Sequence, residues 1–125
     1  MEVLILNPNG VYDTVDFKKS HIGFDTCEQI VEGTVQSVCT ISKLMKKNIL
    51  VLINKNGSSL NFDNTLYLLN NGQIKETLKG KILFVKFDNF GDWFGLSKKD
   101  INYIKSCITT KKIKSENNNI HCIQC

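Results

Sequence analysis

Residues 24–38 read FDTCEQIVEGTVQSV, and this stretch predicts a short helix that stops at a glycine and passes directly into a strand. Asp25 is the expected N-cap, because Glu28 follows three residues later and the two can form a capping box. Gly33 is the expected helix stop, because glycine adopts the left-handed conformation without a steric penalty. The alternating residues after it predict a strand over 34–41. We therefore expect the neighbouring strands to pack on this helix.

Apolar runs and turn residues predict the other elements. An Asn-Pro-Asn-Gly turn joins Glu2–Leu6 to residues 11–17 as a β-hairpin. The further predicted elements are a polar loop or short turn at 42–48, a buried strand at 49–53, one helical turn at 64–69, a short strand or edge segment at 73–77, a strand at 82–87 and a loop at 88–96.

A last helix is predicted to begin after Ser97. Asp100 stands at the capping-box position, three residues after that cap. Ile101, Ile104 and Ile108 then recur at helical spacing, which gives the helix one apolar face.

The segment that follows is polar and rich in Lys and Asn, which predicts a flexible tail over 109–125. The rest, residues 1–108, is predicted to be a single α+β domain. Its core is a mainly antiparallel sheet of about five strands, with two helices packed on one face.

Composition limits the classes of function. The 125 residues carry a net charge of +4 and suit one domain with a real core. All sixteen basic residues are Lys, so the bidentate Arg contacts favoured for phosphates and guanine edges cannot form. No apolar run approaches the roughly 20 residues of a membrane span, and the N-terminus lacks a basic signal-peptide region, so we expect a cytoplasmic protein. An odd number of cysteines argues against a disulfide framework.

Three parts of the chain share a pattern with known proteins. They are the first hairpin with its Asn7–Gly10 turn, the core at 28–38, and a late group made of 51–57, 64–67, 80–85 and the Leu96-Ser97 pair. In these stretches residues 1–108 resemble a family of small phage, plasmid and conjugative-element proteins catalogued as domain of unknown function 3846. The chain departs from that pattern in its single glycine before Thr34, its aromatic-rich loop and its extra tail.

The resemblance implies an accessory protein of a mobile element, of the kind that often acts against host functions. It also implies a location in the cytoplasm of the bacterial host. It supplies no active site to carry over to this sequence.

The loop at 88–96 has the composition of a partner-binding surface. Phe90, Asp92, Trp93 and Phe94 lie close together in it, and aromatic residues are enriched at interface hot spots. The alternative is that the three aromatic side chains fold back under the last helix and complete the core.

Two further groups of residues are candidates for binding a small ligand or a metal. Asn64 and Tyr67 could line a polar pocket for a small ligand, although a cap and a core aromatic also explain them. His121, Cys122 and Cys125 could supply three zinc ligands, but a second ligand pair at finger spacing is missing. We therefore predict neither a metal nor a cofactor.

No catalytic arrangement is visible, so we predict that the protein is not an enzyme. His21 and His121 have no nucleophile beside them in the sequence. Asp88, Asp92 and Asp100 are explained by loop and cap positions without acid–base chemistry.

The leading hypothesis is a non-enzymatic accessory protein of a phage or other mobile element. It would bind and inhibit a host protein, such as a CRISPR effector or another part of a defence system. One alternative is a homo-oligomer that sequesters a signalling nucleotide. Another is a Lys-dependent nucleic-acid-binding module, which the lack of Arg and the nearly balanced charge of residues 1–108 disfavour. A membrane partner is not expected.

Overall fold

The computed structural model describes residues 2–16, 22–112 and 119–125, which form two sheets and three helices. The strands are β1 (Glu2–Leu6), β2 (Tyr12–Asp16), β3 (Val35–Val38), β4 (Ile49–Asn54), β5 (Asn64–Asn70), β6 (Gln73–Lys79), β7 (Ile82–Phe87), β8 (Trp93–Phe94), β9 (Thr109–Lys112) and β10 (Asn119–Gln124). The helices are α1 (Phe24–Val31), α2 (Ser42–Met45) and α3 (Lys98–Cys107). Within these ranges, no helix combines the length and the apolar character that crossing a membrane requires.

The strands divide into two sheets. Sheet A has the order β2-β1-β7-β4-β3, with β8 paired to β7, and all its neighbouring pairs are antiparallel. Sheet B has the order β6-β5-β10-β9 and contains one parallel pair, β5 with β10. The predicted α+β class with a mainly antiparallel sheet is confirmed.

The central strands of sheet A are apolar on both faces because both faces are covered. Side chains alternate between the faces, so Val3 of β1 packs towards α1 and Leu4 packs towards α3 and sheet B. The two long helices therefore lie on opposite faces, whereas we expected both on one face. Continuous apolar runs show that both faces are buried, but they do not show which helix covers which face.

Asn54 joins the end of α1 to the end of β4. Its side chain is only 3% exposed, and its Nδ2 donates hydrogen bonds of 3.1 Å to the carbonyl oxygens of Val31 and Glu32. Its Oδ1 accepts a bond of 2.7 Å from the backbone N–H of Asn56. A helix leaves its last carbonyls without intrahelical partners, and here a buried side chain from the neighbouring strand satisfies two of them.

The ends of α1 differ from the predicted ones. Gly23 occupies the N-cap without a side-chain hydrogen bond, so Asp25 lies in the first turn, where the helix dipole favours a carboxylate. At the other end Glu32, and not Gly33, takes the left-handed conformation, with φ 66° and ψ 36°. Gly33 is required for a different reason, because a Cβ there would lie 2.6 Å from Nδ2 of Asn54.

Residues 42–48, predicted to be a loop or a short turn, contain the single turn of α2. Another stretch beside the central strands differs from its prediction. The predicted helical turn at 64–69 is strand β5, and residues 65–69 are all buried. Asn64 is a residue type that commonly caps helices, but the pairing of β5 with β6 and β10 makes the backbone extended here.

The cap of α3 is as predicted. The hydroxyl of Ser97 accepts a hydrogen bond of 3.1 Å from the N–H of Asp100, and the Asp100 carboxylate accepts one of 3.0 Å from the N–H of Ser97. Ile101 and Ile104 are buried in the core shared by sheet A, sheet B and α3.

The predicted flexible tail over 109–125 differs from the structure in both of its described parts. Residues 109–112 form β9, and β10 lies between β5 and β9 with Ile120, Cys122 and Ile123 buried. Residues 113–118 lie outside the described part of the chain. The polar composition of this segment did not indicate a strand. β10 pairs with β5, which is far away in the sequence, and a non-local pairing leaves no local sequence pattern.

We expect Asn54→Ala to lower the free energy of unfolding by about 1–3 kcal/mol, because it leaves helix-end carbonyls unsatisfied in a buried site. Asn89→Ala is the matched control, since Asn89 is exposed and lies outside the strands and helices. Urea denaturation of both variants measures the difference. Equal stabilities for the two variants would show that Asn54 does not hold α1 to β4.

Candidate functional site

The loop between β7 and β8 is closed by the Asp88 carboxylate. Its Oδ1 accepts hydrogen bonds of 2.9 Å from the backbone N–H groups of both Phe90 and Asp92. The backbone N–H of Asp88 donates to the carbonyl of Asp92 at 3.1 Å, and its carbonyl accepts from Gly91 at 3.2 Å. Gly91 has a φ of 83°, which glycine adopts without steric cost. The loop is therefore fixed by its own hydrogen bonds.

This fixed loop displays Phe90. The Phe90 side chain is 90% exposed, whereas the other exposed large apolar side chains in the described ranges are between 37% and 54% exposed. Burying a phenylalanine is worth about 1.5–3 kcal/mol. Phe90 therefore contributes no such stabilisation to the free protein, and it is available to a partner.

A stacked aromatic pair lies at the start of α1. The rings of Phe24 and Trp93 have centroids 5.9 Å apart and an interplanar angle of 29°. Trp93 is half-buried and packs against the core on the α1 side of sheet A, while Phe24 is 53% exposed. The N–H of Ile22 donates to the carbonyl of Trp93 at 2.9 Å and attaches the start of α1 to β8. Trp93 thus belongs to both the core and the surface.

Phe24, Phe90 and Trp93 are called the aromatic patch below. Beside it lies a hollow of about 220 Å³, lined by Ile22, Phe24, Gly91, Asp92 and Trp93. Pockets for drug-sized ligands typically have volumes of about 300–1,000 Å³. The hollow is smaller than that range, and its size suits a single side chain.

The structure separates Phe94 from the other predicted partner-binding residues. Trp93 pairs with Phe87 in the β7–β8 register, and Phe94 pairs with Lys86. Trp93 and Phe87 both pack on the α1 side of sheet A. Because neighbouring residues of a strand point to opposite faces, Phe94 lies on the α3 side. Asp92 and Trp93 line the hollow together with Phe24, Phe90 is exposed in the same loop, and Phe94 lies on the opposite face.

Sequence reasoning missed Phe24 as part of this surface. Its position just before a helix indicated a local packing role at the helix start. Its contact with Trp93 joins residues that are distant in the sequence, and no local sequence pattern indicates such a contact. An aromatic residue next to a predicted N-terminus is too common to indicate a site by itself.

The predicted ligand residues Asn64 and Tyr67 contact each other. Nδ2 of Asn64 donates a hydrogen bond of 3.1 Å to the Tyr67 hydroxyl, and Tyr67 is only 9% exposed. Tyr67 packs with Leu69, Ile120 and Cys122 in a small cluster on sheet B. A ligand-binding role for this pair stays a prediction.

The C-terminal metal-ligand candidates do not converge. Cys122 is buried in the cluster around Tyr67, whereas Cys125 packs with the main core. His121 lies against the first hairpin, where a Cβ on Gly10 would be 2.5 Å from its Cε1. Burial raises the pKa of the Cys122 thiol. Across the described ranges, no group of three or more His, Cys, Asp or Glu is placed to hold a metal ion, and the other histidine, at position 21, lies outside those ranges.

Comparison with known proteins gives no assignment: no protein-family model, curated protein or solved structure matches this chain. The geometry of the site is therefore what indicates a function. Its main features are a loop fixed by Asp88, an exposed phenylalanine at the loop tip and a stacked pair beside a small hollow.

We expect Phe24→Ala to shift the fluorescence of Trp93, the only tryptophan, to longer wavelength because its stacked neighbour is lost. The same change should lower the free energy of unfolding by about 0.5–1.5 kcal/mol, the usual worth of an aromatic pair. Phe90→Ala is the control and should leave both measurements unchanged. Identical spectra for the wild type and Phe24→Ala would contradict the stacked arrangement.

Proposed function

We propose that the protein acts by binding a partner protein through the aromatic patch. Phe90 enters a pocket of the partner, and the hollow beside Trp93 receives an apolar side chain in return. The observation that supports this most strongly is the 90% exposure of Phe90 on a loop that Asp88 holds in place. A loop whose backbone is already ordered loses little backbone entropy when it binds.

The size and chemistry of the surface favour a protein over a small molecule. The hollow of about 220 Å³ is too small for most small-molecule ligands. Phe90 is exposed, so only a partner with a surface that encloses it can bury it. Aromatic anchors surrounded by less important contacts are typical of protein interfaces. A partner that covers the patch would gain the burial of Phe90 and of the exposed part of Phe24.

The charge beside the patch favours a particular partner. Asp25 is exposed next to Phe24 in the first turn of α1. Carboxylates at the edge of an apolar contact select a partner with basic groups in matching positions. We therefore propose an apolar pocket with a basic rim on the partner.

The resemblance to small phage and plasmid proteins supports a host factor as this partner. The protein is then a non-enzymatic accessory protein of a phage or other mobile element, acting in the cytoplasm of the bacterial host. It inhibits the host factor by covering part of its surface. An effector of a defence system, such as a CRISPR effector, is the kind of target that fits this role.

We expect Phe90→Ala to weaken partner binding by about tenfold or more, which corresponds to the loss of one buried phenylalanine. Affinity capture from a bacterial lysate identifies the partner, and calorimetry with the purified partner measures the Kd. Leu60→Ala is the matched control, since Leu60 is 54% exposed in the segment between β4 and β5.

The proposal requires that the control bind like the wild type. It is wrong if no protein is specifically enriched by the wild type. It is also wrong if Phe90→Ala and Leu60→Ala bind the purified partner equally well.

A further inference from the structure

A second and larger pocket lies on the α3 side of sheet A. It has a volume of about 490 Å³, which falls within the usual range for small-molecule sites of about 300–1,000 Å³. The residues that line this lysine pocket are Lys47, Lys86, Ser97, Lys99, Asp100 and Tyr103. It lies between the segment after α2, the end of β7 and the start of α3.

Asp100 is the one acidic residue among the described residues that line the lysine pocket, and both of its carboxylate oxygens already have partners. Oδ1 of Asp100 pairs with Nζ of Lys86 at 3.0 Å, and Oδ2 accepts hydrogen bonds from the N–H and the hydroxyl of Ser97 at 3.0 and 2.9 Å. Burial of Asp100 works to raise its pKa, but the bonds from Ser97 and Lys86 outweigh it, so the pKa is lowered. Asp100 therefore stays ionised and neutralises Lys86.

Lys47 and Lys99 supply the remaining positive charge. Both side chains are exposed, and in the described part of the chain the Lys86–Asp100 ion pair is the only one that reaches this pocket. Nζ of Lys47 lies 5.6 Å from the ring centroid of Tyr103. The two lysines thus flank the Tyr103 ring, and none of the described residues that line the pocket supplies a carboxylate to pair with them.

Tyr103 is held in a fixed orientation. Its hydroxyl donates a hydrogen bond of 3.0 Å to the backbone carbonyl of Lys43 in α2. The ring packs at the edge of the main core, so one side of the pocket is apolar. The start of α3 adds the positive end of its dipole beside Lys99.

We infer that the lysine pocket binds a small molecule that carries a phosphate or pyrophosphate group. Lys47 and Lys99 contact the phosphate oxygens, and the apolar part of the molecule packs against Tyr103. Lysine binds phosphate as a point charge, which does not need the fork geometry of arginine. Because the patch and the pocket lie on opposite faces of sheet A, this inference does not depend on the aromatic patch.

Isothermal titration calorimetry of the full chain at an ionic strength of about 0.15 M tests this inference, with pyrophosphate and ADP as probes and adenosine as the uncharged counterpart. We expect both phosphate probes to bind and adenosine not to bind. Tighter binding of ADP than of pyrophosphate assigns a nucleotide as the ligand. Equal binding assigns the pyrophosphate group alone, and either result supports the site.

The deciding variant is Lys47→Gln/Lys99→Gln, which should weaken probe binding by about tenfold or more. Its matched control is Lys55→Gln/Lys75→Gln, which removes the same charge from two exposed lysines that do not line the pocket. The control should bind within about twofold of the wild type, because screening limits the effect of distant surface charges. The inference is overturned if the wild type binds neither phosphate probe, or if both double variants lose binding equally.

Discussion

Burial of both faces of β1, β4 and β7 is the constraint on which the rest of this structure depends. A sheet that is apolar on both sides must be covered twice, and here α1 covers one face while α3 and sheet B cover the other. The same alternation continues to the end of β7, where Lys86 and Phe87 point to opposite faces. The aromatic patch and the lysine pocket are therefore built at one end of one sheet, on its two sides.

Two polar side chains satisfy backbone hydrogen-bonding groups that lie outside the strand ladders and the helix interiors. Asn54 satisfies carbonyls at the end of α1, and Asp88 satisfies N–H groups in the β7–β8 loop. In both places a glycine is nearby, Gly33 because no side chain fits beside Asn54 and Gly91 because the loop needs a positive φ. The hydrogen bonds of Asn54 hold α1 against β4, and those of Asp88 order the loop that we propose to be functional.

Local signals in the sequence were sufficient for some elements and insufficient for others. The strands at 49–54 and 82–87 and the cap of α3 follow from short patterns, because the residues that decide them are neighbours in the chain. β10 does not follow, because its parallel partner β5 lies far away in the sequence. β5 forms a hairpin with its sequence neighbour β6, but the cap-like Asn64 favoured a helical turn there. The aromatic loop was found from its composition alone. Composition did not indicate that Phe90 is exposed, because aromatic side chains in such a loop can also pack under the neighbouring helix.

Native-state amide hydrogen exchange, measured by NMR on the full chain, tests most directly whether a rigid sheet holds a rigid loop. We predict the slowest exchange in β1, β4 and β7, where the backbone is most deeply buried. We also predict clear protection of the Phe90 and Asp92 amides, although they lie at the surface, because both donate to Asp88. Exchange of these two amides at the rate of an unstructured peptide would contradict the account.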